Sequence, residues 1–212
     1  MKILFSPEYS GHVFIGLNEQ HPELMDTMVC DNMGLVAMLE LRLGIHVDDI
    51  SGNNRTVLYC KAMSEYMKRN PDNALAASFR LSSLGTAEQA LRWRDNLVLD
   101  KWQANKDDDA SGRLNVLAGT EEFFNSPGMS DRLKDVLLYI NRVEDGFFKD
   151  FDVELPCELA MLHPAIQELL TALQSHGARI SSKDFQGFRG NNLSHIAHML
   201  NSSSDVKLTL NK

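Results

Sequence analysis

The chain has 212 residues, 43% of them hydrophobic, with 24% charged and 8% aromatic, which excludes an intrinsically disordered polymer and is enough to bury a core. Its formal net charge of -8 and pI near 5.3 speak against a strong autonomous grip on nucleic acid, because that affinity comes from Lys and Arg displacing counterions from phosphates. No apolar run approaches the roughly 20 residues of a membrane span, and the short apolar stretch behind Lys2 is too brief for a signal peptide.

In chain order, Lys2 to Ser6 reads as a short buried strand stopped by Pro7. A loop with Ser10, Gly11 and His12 follows, and Val13 to Leu17 fits either the start of a helix or a second strand. Thr27 to Cys30 is a further strand. Met33 to Leu43 turns helical, with Leu35, Met38, Leu39 and Arg42 at helical spacing and Gly44 as its stop.

The middle of the chain reads as almost wholly helical. Asn54 or Thr56 caps a helix carrying Tyr59, Ala62, Met63, Tyr66 and Met67 on one face, ended by Asn70-Pro71. A helix over Asn73 to Arg80 is broken by Gly85. Thr86-Ala87-Glu88-Gln89 is a capping box that opens the next helix, with Ala90, Leu91, Leu97, Val98 and Trp102 facing inward. Lys106 to Gly112 is a solvated loop whose consecutive acids lack the alternating ligands and closing Glu of a calcium loop. Arg113 to Phe124 is helical, Asn125 to Gly128 is a turn, and Ser130 caps a helix burying Leu133, Val136, Leu137, Ile140 and Val143.

Past Gly146 the character changes. Asp152 to Leu155 reads as a strand, Pro164 as the first turn of a helix burying Ile166, Leu169, Leu170 and Leu173, Gly177 as its end, and Arg179 to Ser181 as a returning strand. Strand, helix and strand in that order predict a parallel crossover. The expected fold is α/β: segments 1–31 and 147–212 share one parallel sheet, and 32–146 form a large all-helical insertion.

Motifs that carry chemistry are sparse. Ser6 to Val13 follows the first strand as a phosphate-binding loop would, and Gly11 matches the second glycine of G-x-x-x-x-G-K-[ST]. Ser6 stands for the first glycine, His12 for the lysine and Val13 for the magnesium-binding hydroxyl. A neutral imidazole and a valine handle neither phosphate charge nor metal. Arg92-Trp93-Arg94-Asp95 invites a base-stacking reading, but Arg94 lies three residues from both Leu91 and Leu97, on the buried stripe. Core anchoring by Trp93 and Trp102, with an ion pair for Arg94, is the preferred reading. His195 and His198 are spaced to chelate but lack a third ligand. Cys30, Cys60 and Cys157 form no C-x-x-C and fit reduced thiols in a cytoplasmic protein. The methionines read as core filler.

Leu39-Glu40-Leu41-Arg42-Leu43-Gly44, Ala62-Met63-Ser64-Glu65-Tyr66-Met67 and Ala90-Leu91-Arg92-Trp93-Arg94-Asp95 resemble the N-terminal region of PD-(D/E)XK nuclease family proteins of Bacteroides-type bacteria. These are similar to AddB-type subunits of the ATP-dependent helicase–nucleases that process double-strand DNA breaks. Gly112-Arg113-Leu114 through Ala118-Gly119 and Asn191-Asn192-Leu193 extend the resemblance along most of the chain. It implies a helicase-like, P-loop NTPase-like sheet, a helical insertion, and a nuclease centre near the far C-terminus of a much longer protein, outside this chain. The family's ATP loop falls on Ser6 to Val13, where the lysine and hydroxyl are missing.

The expectation is therefore a module without catalytic site, cofactor or metal. It would scaffold a motor subunit and guide DNA weakly, with Arg92, Lys101 and Arg113 as the candidate contacts. The alternative is a non-enzymatic interaction domain with an acidic helical surface. The alternating run Val206 to Leu210, with no closing element, favours a chain that continues further.

Overall fold

The computed structural model describes residues 1–9, 12–15, 27–45, 52–104 and 112–182. Ser10, Gly11, Gly16, Leu17, most of the acidic loop, His195, His198 and the run from Val206 lie outside them. Five strands form one sheet: β1 (Lys2–Phe5), β2 (His12–Ile15), β3 (Thr27–Cys30), β4 (Asp152–Leu155) and β5 (Arg179–Ser182). Their spatial order is β2-β3-β1-β4-β5. The strands β3, β1, β4 and β5 are mutually parallel, and β2 adds an antiparallel edge against β3.

The central strand β1 is thus flanked by strands from opposite parts of the chain, with Lys2 in register with both Thr27 and Asp152. The ambiguous stretch after His12 resolves as strand. Ladder pairing of Val13 with Val29 and Phe14 with Met28 satisfies its backbone there. Ile3 and Phe5 of β1, Met28 and Cys30 of β3, and Val153 and Leu155 of β4 alternate onto one buried face. On the opposite face Lys2 meets Glu154 at 2.9 Å.

Seven α-helices lie among the described residues: α1 (Asn32–Leu43), α2 (Gly52–Arg69), α3 (Ala76–Leu81), α4 (Ser83–Leu99), α5 (Gly112–Thr120), α6 (Met129–Ile140) and α7 (Pro164–Ser175). Asp31 caps α1 by accepting from the Gly34 N–H at 2.8 Å. Gly44 closes that helix in the left-handed region at φ 70°. In α7, Pro164 occupies the first turn, and Leu169, Leu170 and Leu173 are fully buried. The unit β4-α7-β5 is the expected parallel crossover.

Four starts differ from the expectation: α2 begins at Gly52, so Asn54 and Thr56 lie inside it, and α3 begins at Ala76 instead of Asn73. The helix α4 begins at Ser83, one turn before Thr86, and Gly85 sits inside it. The Thr86 N–H donates to the Ser82 carbonyl at 2.9 Å, an ordinary helical bond, so no capping box forms there. In α6, Ser130 is not the cap: the helix opens after Gly128, and the Asp131 carboxylate reaches back to the Gly128 N–H at 2.7 Å. The Ser130 hydroxyl instead donates to the Asp95 carbonyl at 2.8 Å. Farther on, α5 ends at Thr120, and the expected continuation to Phe124 narrows to a 3₁₀ turn over Glu121–Phe123.

The interior divides into two cores. The first joins the sheet to α1, α6 and α7, so two helices of the stretch 32–146 complete the sheet's own core. The second is wholly helical, with Tyr59, Met63, Ala87, Ala90, Val116 and Leu117 at its centre, drawn from α2, α4 and α5. The helix α6 touches both, giving Leu133, Val136 and Ile140 to the first and its N-terminal polar groups to the second.

Candidate functional site

In α/β folds ligands settle outside the carboxyl ends of the parallel strands, where successive crossovers diverge. That place here is the end of β1, between β3 and β4. Ser6 is buried, and its N–H donates to the Cys30 carbonyl at 3.1 Å. Its hydroxyl accepts from the Glu8 N–H at 3.2 Å, and its carbonyl accepts from the Tyr9 N–H at 3.2 Å. The Glu8 and Tyr9 amides are thus committed to a local turn on Ser6, and Glu8 adds a carboxylate. The nearest helix start, α1, already has the Asp31 carboxylate on its free N–H groups. His12 and Val13 lie in β2, so the segment after this loop is a strand where a phosphate-binding loop runs into a helix.

The second polar concentration is buried among the helices. Arg94 is 7% exposed and Arg55 8%. Arg94 donates to Glu121 at 2.9 Å and, through both terminal nitrogens, to Asp131 at 2.5 and 2.7 Å. Arg55 forks onto Asp95 at 2.5 and 2.8 Å and gives its Nε–H to the Ser126 carbonyl at 2.9 Å. Asp95 also takes a 3.1 Å bond from Arg94, which links the two guanidiniums. The Phe124 ring lies 5.4 Å from the Arg55 guanidinium and 5.8 Å from that of Arg94, with Tyr59 edge-on to it at 4.8 Å.

Gly128 makes the approach possible, since a Cβ there would come within 2.5 Å of the Arg55 guanidinium carbon. Burial pushes the Asp131 carboxyl up, but hydrogen bonds from Arg94 and from the Gly128 N–H outweigh it and hold the group below the ordinary carboxylate range. Burial likewise works against the charge on Arg94, and its bonds to Asp131 and Glu121 more than restore it. Burial also raises the Tyr59 phenol, whose hydroxyl has no hydrogen-bond partner among the described residues. Each charged group in this knot has an oppositely charged partner inside it, and together they tie α2, α4, the turn after α5 and α6 to one another.

The ion pair expected for Arg94 is present, with three carboxylates instead of one. Arg55 was not singled out in the sequence, although it falls on the apolar face of α2 one turn before Tyr59, and that position was its signal. Trp93 and Trp102 are only half-buried, packed against the edge of the helical core. Truncating Trp102 therefore removes less than a fully enclosed aromatic would.

The three cationic candidates have three different neighbours. Arg92 is exposed and faces Glu88 at 3.6 Å one turn away. Lys101 pairs with Glu168 of α7 at 3.0 Å, beside a cavity of about 280 Å³ lined by Leu99, Trp102, Leu133 and Leu137. Arg113 lies over the Trp93 ring at 5.7 Å. Among the described residues no group of His, Cys, Asp and Glu is arranged to hold a metal ion. Burial pushes the Cys30 thiol up to about 12, far from a reactive thiolate. None of the described helices is long and apolar enough to cross a membrane.

These features define an α/β protein with a tightly paired internal ion network. No family model matches the chain, and neither a curated protein nor a solved structure is significantly similar to it.

Proposed function

We propose that this chain is the N-terminal, helicase-like but nucleotide-incompetent module of a DNA double-strand-break repair helicase–nuclease subunit, acting as scaffold and DNA guide beside a motor subunit. The observation that carries the reading is the split sheet: β1 and β4 are parallel neighbours separated in sequence by the helical excursion. A P-loop-type core interrupted by an insertion has that arrangement. The resemblance of the Leu39, Ala62 and Ala90 segments to the PD-(D/E)XK nuclease family supplies the repair context, and in this reading the nuclease centre belongs to sequence beyond residue 212. The carboxyl edge of β1 supports nucleotide incompetence, because the Glu8 and Tyr9 amides are taken up by Ser6 and the edge carries Glu8 and Asp31 instead of a lysine.

Two measurements test this. Isothermal titration with ATP and magnesium should show no binding tighter than about 100 μM, roughly 5.5 kcal/mol; tighter binding overturns the incompetent loop. Fluorescence anisotropy with short duplexes should show only salt-sensitive binding in the range of about 10⁻⁴ to 10⁻⁶ M at physiological salt. Sub-micromolar affinity would mean that the fragment is a DNA-binding domain in its own right.

A further inference from the structure

The chain is strained just past the end of α4. Lys101 and Ala104 stand in the left-handed region at φ 67° and 55°, with Trp102 between them, and among the described residues no other side chain is held there. Such strain persists only where the surroundings impose it, and it collects at ligand sites. Here it accompanies the placing of Trp102 on the wall of the cavity between α4, α6 and α7. At about 280 Å³ this cavity is close to the lower end of small-molecule sites, which run from about 300 to 1,000 Å³.

Its walls are apolar and its charge is cationic. Val98 and Trp102, Leu133 and Leu137 of α6, and Ala165 of α7 supply the walls. Three charged side chains line it as well: Lys101, Lys134 and Glu168. Lys101 and Glu168 cancel in their 3.0 Å pair. Lys134 is exposed and, among the described residues, has no ion pair. Its neighbour Asp135 does not line the cavity. The lining therefore carries one uncompensated positive charge, in a protein whose net charge is -8. The side-chain amides of Gln103 and Asn141 add hydrogen-bond donors. A second recess borders the same Lys101–Glu168 pair, but Trp102, Leu133 and Lys134 belong to the first cavity alone.

We infer that this cavity binds a small amphipathic monoanion, a carboxylate on a medium-length apolar body, with the body against Trp102, Leu133 and Leu137 and the carboxylate on Lys134. One negative charge matches the one cation that the lining leaves unpaired. A dianionic head such as a phosphate monoester would bring a second charge, which Glu168 repels, and a cationic amphiphile would meet Lys134 directly. The apolar walls separate such a ligand from a bare anion, which would gain nothing from them. This inference does not rest on the DNA-repair reading and survives its failure.

The test uses the whole chain with octanoate as the probe. Isothermal titration measures binding, and a Trp93→Phe variant leaves Trp102 as the tryptophan whose emission reports it. Octanoate should bind with a Kd below about 1 mM and shift the Trp102 emission. It should also bind at least tenfold tighter than octylammonium, octyl phosphate or acetate. Lys134→Glu, at an exposed position that leaves the fold intact, should weaken octanoate at least tenfold and make octylammonium the better ligand. Trp102→Ala should weaken octanoate although Lys134 is present. Far-UV circular dichroism verifies that each variant is folded; if Trp102→Ala is not, Lys134→Glu and the emission shift decide. Absence of octanoate binding overturns the inference. So does binding that leaves Trp102 emission unchanged, that is indifferent to Lys134→Glu, or that is matched by octylammonium. Tighter binding of octyl phosphate would overturn the monoanion in favour of a phosphate head.

Discussion

Arg92 and Arg94 stand two positions apart in one helix, yet the structure gives them opposite roles. Arg92 faces solvent beside Glu88, and Arg92→Ala should change stability by no more than about 0.5 kcal/mol. Arg94 is the cation between Glu121 and Asp131. Arg94→Met removes it, strips Glu121 of its cation and leaves Asp95 and Asp131 to Arg55, so the loss should be about 3–5 kcal/mol in urea unfolding. A variant within about 1 kcal/mol of the parent would show that the knot is solvated and weak. Asp131 adds a pH signature. Its folded carboxyl titrates below its unfolded value near 3.9, so its contribution is present above about pH 4 and is lost as the pH falls through the folded value. Asp131→Asn should lower the melting temperature at pH 6 and flatten its decline below about pH 4. An unchanged acid slope would place the effect on other carboxylates.

At the scale of elements, helix ends carry most of the surprises. The helix α4 closes with Lys101 in the left-handed region at φ 67°. The Lys101 N–H donates to Val98 and the Trp102 N–H to Leu97, the pair of bonds that usually has glycine at this place. A side chain held there costs about 1–2 kcal/mol, while the exposed pair with Glu168 returns less. Lys101→Gly should therefore raise stability by about 0.5–1 kcal/mol after the entropy cost of glycine. A measured loss would mean that the Glu168 contact is stronger than an exposed pair usually is.

For the whole molecule, the two cores share α6. Its Leu133, Val136 and Ile140 are buried against the sheet, and its Asp131 and Ser130 are bonded to α4. One core cannot lose its packing without freeing the helix that completes the other. Urea unfolding followed by tryptophan fluorescence, which reports Trp93 and Trp102 in the helical core, should coincide with far-UV circular dichroism. Separate midpoints would show that the helical core unfolds as an independent unit.

Much was readable in the residues themselves. The strands Thr27–Cys30 and Asp152–Leu155 fall where their β-capable runs lie, α7 lies between Pro164 and Gly177, and Gly44 ends α1. Those signals are local: side-chain periodicity, a fixed proline φ and a glycine free to turn left-handed act within a few residues. The order β3-β1-β4, the recruitment of α1 and α6 into the sheet core, and the pairing of Arg55 and Arg94 with three carboxylates are another matter. So is the commitment of the Glu8 and Tyr9 amides to a turn on Ser6, which no spacing of residues announces. Each joins groups that are distant in the chain or competes with an alternative of similar local merit, as Thr86 competed with Ser82 for the start of α4. Only burial of the assembled faces, and the requirement that every buried charge find its counter-charge, decides among them.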